Sequence, residues 1–270
     1  LISSESKNPL KETFKELVGL TPFGLLGSDN FKKELSINII FTVLISLASY
    51  YLYVLTGDFL QWTAFGIGVY VICNWIHGLK NRDPVAFLLI FKSKALLLGL
   101  LSFPFITFVT YALGAFGPSF YIRNFSMTAT EVGIIYGLIT VFGSMIGVIC
   151  GGILGDKIRE TYVNGKLYLI MASAVLTGVT AIGFIHSENL VASFTWKFVY
   201  HIASTAWLGC AASTVTELVL PRLRAVASAF FILMLSMIGL ALGPYLTGMV
   251  SDIYINSGLL PGPALKNAMT

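Results

Sequence analysis

Charged side chains stand where long apolar stretches end: Asp156, Lys157 and Arg159 behind one stretch, Glu217, Arg222 and Arg224 between two others. Opposite charges at adjoining helix ends pair when the ends approach and part when they separate. This is the chemistry of a switchable ionic gate, not of bond breaking. The plainer reading is basic anchoring at a membrane surface with Asp156 and Glu217 as incidental counter-charges. Each such pair is worth about 1 kcal/mol near an interface, enough to bias two states that differ by a few kcal/mol.

Polar residues inside apolar stretches are the second group able to do chemistry. His201 lies four residues after Lys197, so the two share a helix face, with Tyr200 beside them. His201 could donate to an anionic group or carry a proton; equally, it could bond a neighbouring helix. Lys197 sits near a helix end, where a lysine can snorkel to the interface. Thr107, Thr110 and Tyr111 in one stretch, and Trp207, Ser213 and Thr214 in another, could line the same cavity. That cavity would be mainly apolar and would suit a lipophilic or amphipathic solute better than a free sugar. Arg123 reads as a rim residue. No metalloprotease, nucleophile-elbow or phosphate-loop pattern occurs. Glu131 and Glu188 are isolated, so the chain does not read as an enzyme. Cys73, Cys150 and Cys210 lie within apolar runs with no metal-ligand spacing, and no metal or cofactor is expected.

The elements that carry these residues follow from composition. Hydrophobic residues make up 56% of the chain and charged residues 11%, where a soluble domain has about 25% charged. Most of the surface must therefore face lipid. Nucleic-acid binding is not indicated, because the bases do not gather on one face. Spans of about 20 apolar residues are predicted over roughly 35–56, 59–79, 88–119, 130–155, 166–186, 190–219 and 225–250. These runs are too long and uniform for barrel strands. The first two form a hairpin turning at Gly57-Asp58. Pro104 and Pro244 interrupt two spans and predict kinks, either in moving helices or in static ones. In the fourth span Gly143, Gly147, Gly151 and Gly155 recur every four residues and predict a face for close helix packing. Before the first span, residues 1–34 read as a polar linker, with an amphipathic helix over 9–20 lying on the membrane surface or merely solvated.

Lysine and arginine alternate between rich and poor loops along the chain. The linker, the loops after spans two, four and six are rich; the others are poor. The positive-inside rule then puts the N-terminus in the cytoplasm and the C-terminus outside after seven spans. The ends bearing Asp156, Arg159, Glu217, Arg222 and Arg224 all fall on the cytoplasmic side.

The run Gly152-Ile153-Leu154-Gly155-Asp156-Lys157-Ile158-Arg159 resembles the cytoplasmic loop motif of the major facilitator superfamily. Gly152, Asp156 and Lys157 match it; Arg159 and Glu160 depart from it. Residues 216–229, with Glu217, Pro221 and Arg224 followed by a small-residue run, are similar to the loop joining helices ten and eleven in the spinster-like branch. Residues 239–252, containing Gly243-Pro244-Tyr245-Leu246 and Ser251-Asp252, resemble the end of helix eleven in that branch. Residues 115–123 look like the outer end of its helix seven. The resemblance covers roughly 85–252.

It implies an all-α polytopic membrane protein with a major facilitator-type helical bundle, about seven transmembrane helices of it present as a partial chain. Residues 35–84 would be a transmembrane hairpin inserted between two six-helix halves, 85–252 helices seven to eleven, and 253–270 an outside loop before a missing last helix. The function implied is secondary active transport of a small lipophilic or amphipathic organic-anion solute by alternating access. Its partners would be the lipid bilayer, a missing N-terminal six-helix bundle and the solute, with no nucleic acid. The expected location is a bacterial inner membrane, and the coupling ion, proton or sodium, is left open. The alternative is a structural or accessory membrane subunit that does not transport.

Overall fold

The computed structural model describes residues 31–270. The helix expected over 9–20 lies outside them, as does nearly all of the linker. Among the described residues every regular element is helical. They divide into two compact units, one ending at Ser93 and one running from Lys94 to Thr270.

In the first unit, α1 (Phe31–Thr56) and α2 (Phe59–Arg82) form an antiparallel hairpin. The turn is made at Gly57, whose φ of +81° is costly for any residue with a side chain. Trp62 Nε1 donates to Thr56 Oγ1 at 2.6 Å across the turn. At the open end Glu34 Oε2 lies 2.6 Å from His77 Nε2, and Asn81 donates to Glu34 Oε1 at 3.0 Å. Between these ties Tyr70 hydrogen-bonds the Asn38 side chain. The remaining surface of α1 is apolar and exposed, from Ile39 to Leu55, as a helix bathed in lipid requires.

The third expected span, 88–119, is not one helix. A short α3 (Pro84–Lys92) belongs to the first unit, and α4 (Lys94–Phe125) begins the second. Asp83 caps α3 by accepting the Ala86 N–H at 2.9 Å, with Pro84 at the first helical position. Ser93 is extended and ends it. The division therefore falls after α3, not at the expected 84/85 boundary.

The second unit continues with α5 (Ala129–Thr161), α6 (Gly165–His186) and α7 (Leu190–Glu217). A continuous helical run over 221–256 follows, containing α8 (Arg224–Met234), a π-helical turn (Leu235–Leu240) and α9 (Ala241–Asn256). The π turn has a local cause. Pro244 has no N–H for the carbonyl four residues back, at Leu240, which is where the wider turn ends. Gly239 within this turn packs on Thr107 of α4, and Gly243 on the Phe108 carbonyl. Pro104 and Pro118 also lie inside an unbroken helix, α4.

Six of the described helical stretches are long and apolar enough to cross a membrane, and α7, expected as a seventh, does not join them. Its polar residues, Lys197, His201 and several hydroxyls, lower its hydropathy, and its packing accommodates them. α7 lies between α5 and α6 and shows protein, not lipid, on most of its surface. The glycine stripe of α5 faces it. A Cβ at Gly143 would lie 2.7 Å from His201 Cβ, one at Gly147 would strike the Ile202 carbonyl, one at Gly151 the Ala206 carbonyl, and one at Gly155 the Cys210 sulfur. Thr205 Oγ1 donates to the His201 carbonyl of its own helix at 2.7 Å and lies 3.2 Å from the Ser144 carbonyl across this contact, and Cys210 Sγ donates to the Gly151 carbonyl at 3.5 Å. On its other side the Ser173 hydroxyl of α6 donates to the Ala203 carbonyl.

At the end where α5 begins, Thr128 and Glu131 form a reciprocal capping box. An apolar and aromatic core lies behind it, built from Leu113, Phe120, Tyr121, Tyr136, Phe184 and Tyr200. Leu265 and Met269 complete that core. They lie on α10 (Pro261–Met269), so residues 253–270 are not the loop expected. α9 runs on to Asn256, and Pro261 starts a new helix whose apolar face is buried against α4 and α9. Ser193 Oγ donates to the Phe184 carbonyl at 2.8 Å, which leaves Tyr121 to donate to Ser193 Oγ at 3.0 Å. Tyr121→Phe is expected to cost about 1 kcal/mol, read as a lower melting temperature in detergent; no change would mean that water replaces the bond.

Candidate functional site

The opposite end of the second unit gathers charge. α5 ends there, α6 begins there after a loop of three residues, and α7 ends there. Glu217, the last residue of α7, is the hub. Its Oε1 accepts from Arg159 Nη1 at 2.5 Å and from Lys166 Nζ at 2.8 Å. Lys166 Nζ also lies 3.6 Å from Asp156 Oδ1. The burial is graded: Lys166 is 8% exposed, whereas the Asp156 side chain is 76% exposed. Two acids and two bases therefore tie three helix ends together and balance in formal charge. Arg159 in the last turn of α5 suits that helix's dipole, whereas Lys166 at the start of α6 and Glu217 at the end of α7 oppose theirs and offset each other by pairing.

Of the charged residues singled out in the sequence, the structure brings Asp156, Arg159 and Glu217 together. It separates the rest. Arg224 Nε donates at 3.2 Å to the Thr216 carbonyl, one of the free carbonyls closing α7. Lys157 and Arg222 are exposed and form no ion pair among the described residues. A Cβ on Gly152 would meet open space, so Gly151 and Gly155 are the packing glycines of this segment. Lys166 was missed as a member. The signal was available: it follows Arg159 across a loop too short to let the two ends diverge.

A cavity of about 910 Å³ opens beside the cluster. Arg159, Lys166 and Glu217 stand at its charged end; Leu98, Phe105 and Val109 of α4 face Leu167, Met171 and Ala174 of α6 along its walls. It is an apolar groove with an ionic mouth.

Of the residues predicted to line one cavity, Thr214 lines this groove and the others do not. Thr107 is buried against Gly239 and donates to the Pro104 carbonyl at 2.7 Å. Tyr111 is exposed on α4. Tyr200 belongs to the aromatic core. His201 lies between α5 and α7, its Nε2 at 3.0 Å from Thr140 Oγ1. Trp207 donates to the Ser204 carbonyl at 2.8 Å and lies near Phe103. Tyr111 turns away from Thr107 because four residues on a long helix still drift in angle, and α4 is bounded by different neighbours along its length. Lys197 does not snorkel; its side chain is wholly buried. Among the described residues no group of histidine, cysteine and acidic side chains is placed to hold a metal ion.

The fold is thus that of an all-α, multi-pass membrane protein of the major facilitator type. A crystal structure of a bacterial homologue of the human lysosomal transporter Spinster, inward-facing and unoccupied, matches 96% of this chain with a TM-score of 0.55 at 21% identity, and the match covers 59% of that chain. In sequence, an MFS-type efflux pump of Mycolicibacterium smegmatis is 31% identical over 149 residues, 55% of this chain and 34% of the pump. Protein spinster of Drosophila melanogaster is 25% identical over 173 residues, covering 60% of this chain and 28% of that protein. Human protein spinster homolog 1 is 24% identical over 177 residues, again 60% of this chain and 33% of its own length. No protein-family profile matches. The homologues of this chain are MFS-type and spinster proteins, in agreement with the resemblance carried by residues 216–229 and 239–252. The chain spans about a third of the length of the curated relatives it matches.

Proposed function

We propose that this chain forms part of a secondary active transporter, not an enzyme, that moves a small lipophilic or amphipathic organic anion by alternating access. Its second unit would be most of the C-terminal bundle, helices seven to eleven of the family plan. Its first unit would be an inserted transmembrane hairpin, and a further bundle of the same protein would supply the other half of the path. The membrane would be a bacterial inner membrane, with the ionic end of the second unit cytoplasmic. The observation that carries this reading is the cluster of Asp156, Arg159, Lys166 and Glu217 at the mouth of an apolar groove, in a chain with a relative named as an efflux pump. Ion pairs that tie three helix ends can hold one state and release it in another. The apolar walls favour a solute with a greasy body.

The test begins with a thermal-shift screen of the full-length protein against organic anions, lipophilic cations, single-chain amphiphiles and sugars, since a ligand stabilises the state that binds it. Compounds that raise the melting temperature are then followed into proteoliposomes. Saturable uptake several-fold above that of empty vesicles is expected for the amphipathic anions. Hits confined to sugars would overturn the solute class; no flux of any stabilising compound would overturn transport.

A further inference from the structure

The least explained group in the second unit is Lys197. It lies in the second turn of α7, 0% exposed, and its Nζ has no hydrogen-bond partner. Three aromatic rings enclose it: Phe184 of α6 with its centroid 4.5 Å from Nζ, and Tyr136 of α5 and Tyr200 of α7 at 4.7 Å each. Ring faces attract an ammonium but cannot accept its protons as a carboxylate does. No carboxylate pairs with it among the described residues.

Most neighbouring polar groups differ in this respect: Ser193, His201, Trp207 and Thr177 each have a partner, and within the cage only the Tyr200 hydroxyl shares the lack of one. The core here is therefore able to satisfy polar side chains, and a methionine would fill the space of Lys197 without any polar demand. A buried charge without a counter-ion is disfavoured. A neutral amine in the same cage needs no counter-ion, and an ammonium there is met by three ring faces. The cage thus accommodates both forms and holds neither by an ion pair. It also touches α5, α6 and α7 at once, the three helices tied by the ionic cluster at the far end.

We infer that Lys197 is a proton-exchange site, occluded in this conformation, whose gain and loss of a proton accompanies the opening and closing of α5, α6 and α7. The proposal rests on the transport reading for its role in the cycle, and it assigns a proton as the coupling ion. The step is simple to balance. When the three helices part and water reaches Nζ, one N–H bond of the ammonium breaks and the proton passes to water; the amine retains the electron pair and takes a proton back when the site next meets water. The other groups that can titrate around the cage are Tyr136 of α5, Tyr121 of α4, and Tyr200 and His201 of α7. Phe184 is the contribution of α6 and cannot titrate.

Two measurements on the full-length protein test this. In lipid nanodiscs, tryptophan fluorescence is followed between pH 5 and 9, since Trp196 adjoins Lys197 and packs on Gly183 of α6. A reversible transition is expected in the wild type and in His201→Gln, and its loss in both Lys197→Met and Lys197→Arg. Arginine keeps a positive charge but does not release it. In proteoliposomes, NBD-dodecyl phosphate is the probe and an imposed pH gradient the driving force. Wild-type flux is expected to differ at least five-fold between the two gradient directions, and flux through either variant to be indifferent to direction.

A wild type with no pH response, or a methionine variant that keeps it, overturns the proposal. An arginine variant that keeps the gradient response overturns it too, since a fixed charge would then suffice. If arginine does not fold, the methionine variant decides alone, because a fixed charge gives no pH transition in the wild type either. A transition lost in the variants without any flux in the wild type would overturn the transport reading and still support proton exchange at Lys197.

Discussion

Gly151→Ala will lower the melting temperature of the purified protein, and Gly152→Ala, one residue on, will not. Both replace a helical glycine of α5 by the best helix former, a change that by itself favours the helix by about 0.5–1 kcal/mol. They differ in what the new methyl group meets. At Gly152 it enters open space, whereas at Gly151 it would overlap the carbonyl and Cα of Ala206 on α7. Backbone atoms cannot swing aside as a side-chain tip does, so α5 and α7 must move apart. Overpacking of this kind costs about 1–3 kcal/mol. Separation also strains the Thr205 approach and the Cys210 bond that cross the same contact. Gly151→Leu should prevent assembly of the bundle altogether. Equal melting temperatures for the two alanine variants would show that α7 does not pack on the stripe.

Glu217→Gln is expected to be the most damaging single change in the ionic cluster, well beyond Asp156→Asn. Glu217 accepts from both Arg159 and Lys166, and its loss leaves the nearly buried Lys166 with only an exposed carboxylate at 3.6 Å. Losing a hydrogen bond to a charged partner costs about 1.5–3 kcal/mol. At about 1.4 kcal/mol per factor of ten, that corresponds to a ten-fold or greater shift between a closed and an open arrangement. Asp156 is mostly exposed, and an exposed pair is worth about 0.2–1 kcal/mol, so Asp156→Asn should change solute flux by no more than about five-fold. The measurement is initial uptake in proteoliposomes beside a thermal melt of each variant. Salt should weaken the Asp156 contact first, because an exposed pair is screened most. If Asp156→Asn outweighs Glu217→Gln, Glu217 is not the hub.

These expectations show how unevenly the sequence speaks. The long apolar runs are direct statements about lipid, so the hairpin and the courses of α5 and α6 were legible within a few residues. The four-residue period of the glycines declared a contact face but not its partner, because Ile202, Thr205, Ala206 and Cys210, which receive it, form no comparable stripe. α7 was legible as a helix, yet its lower apolarity gave no sign that α5 and α6 would cover it. The break at Ser93 and the helix at Pro261 depend on caps and on tertiary burial of a short apolar face, which spans counted by hydropathy overlook. In the ionic cluster, Asp156, Arg159 and Glu217 were found from charge at helix ends. Lys166 looks by type like any other anchor after a positive-inside loop, and only the shortness of its loop to Arg159 signals its place. Lys197 was misplaced for a related reason: position along a helix is visible in sequence, and the direction of the side chain is not.

The central place of α7 bears on how the protein is made. A helix carrying Lys197 and His201, with small and hydroxyl residues along much of its length, gains little by entering lipid alone. A lysine costs about 2.5–3.5 kcal/mol at the centre of an inserting helix and less toward its ends, where Lys197 lies. α5 and α6 precede it in the chain and supply the glycine face and the ring cage that receive it. Insertion of α7 is therefore expected to be a partnered event, received by the two helices synthesised before it.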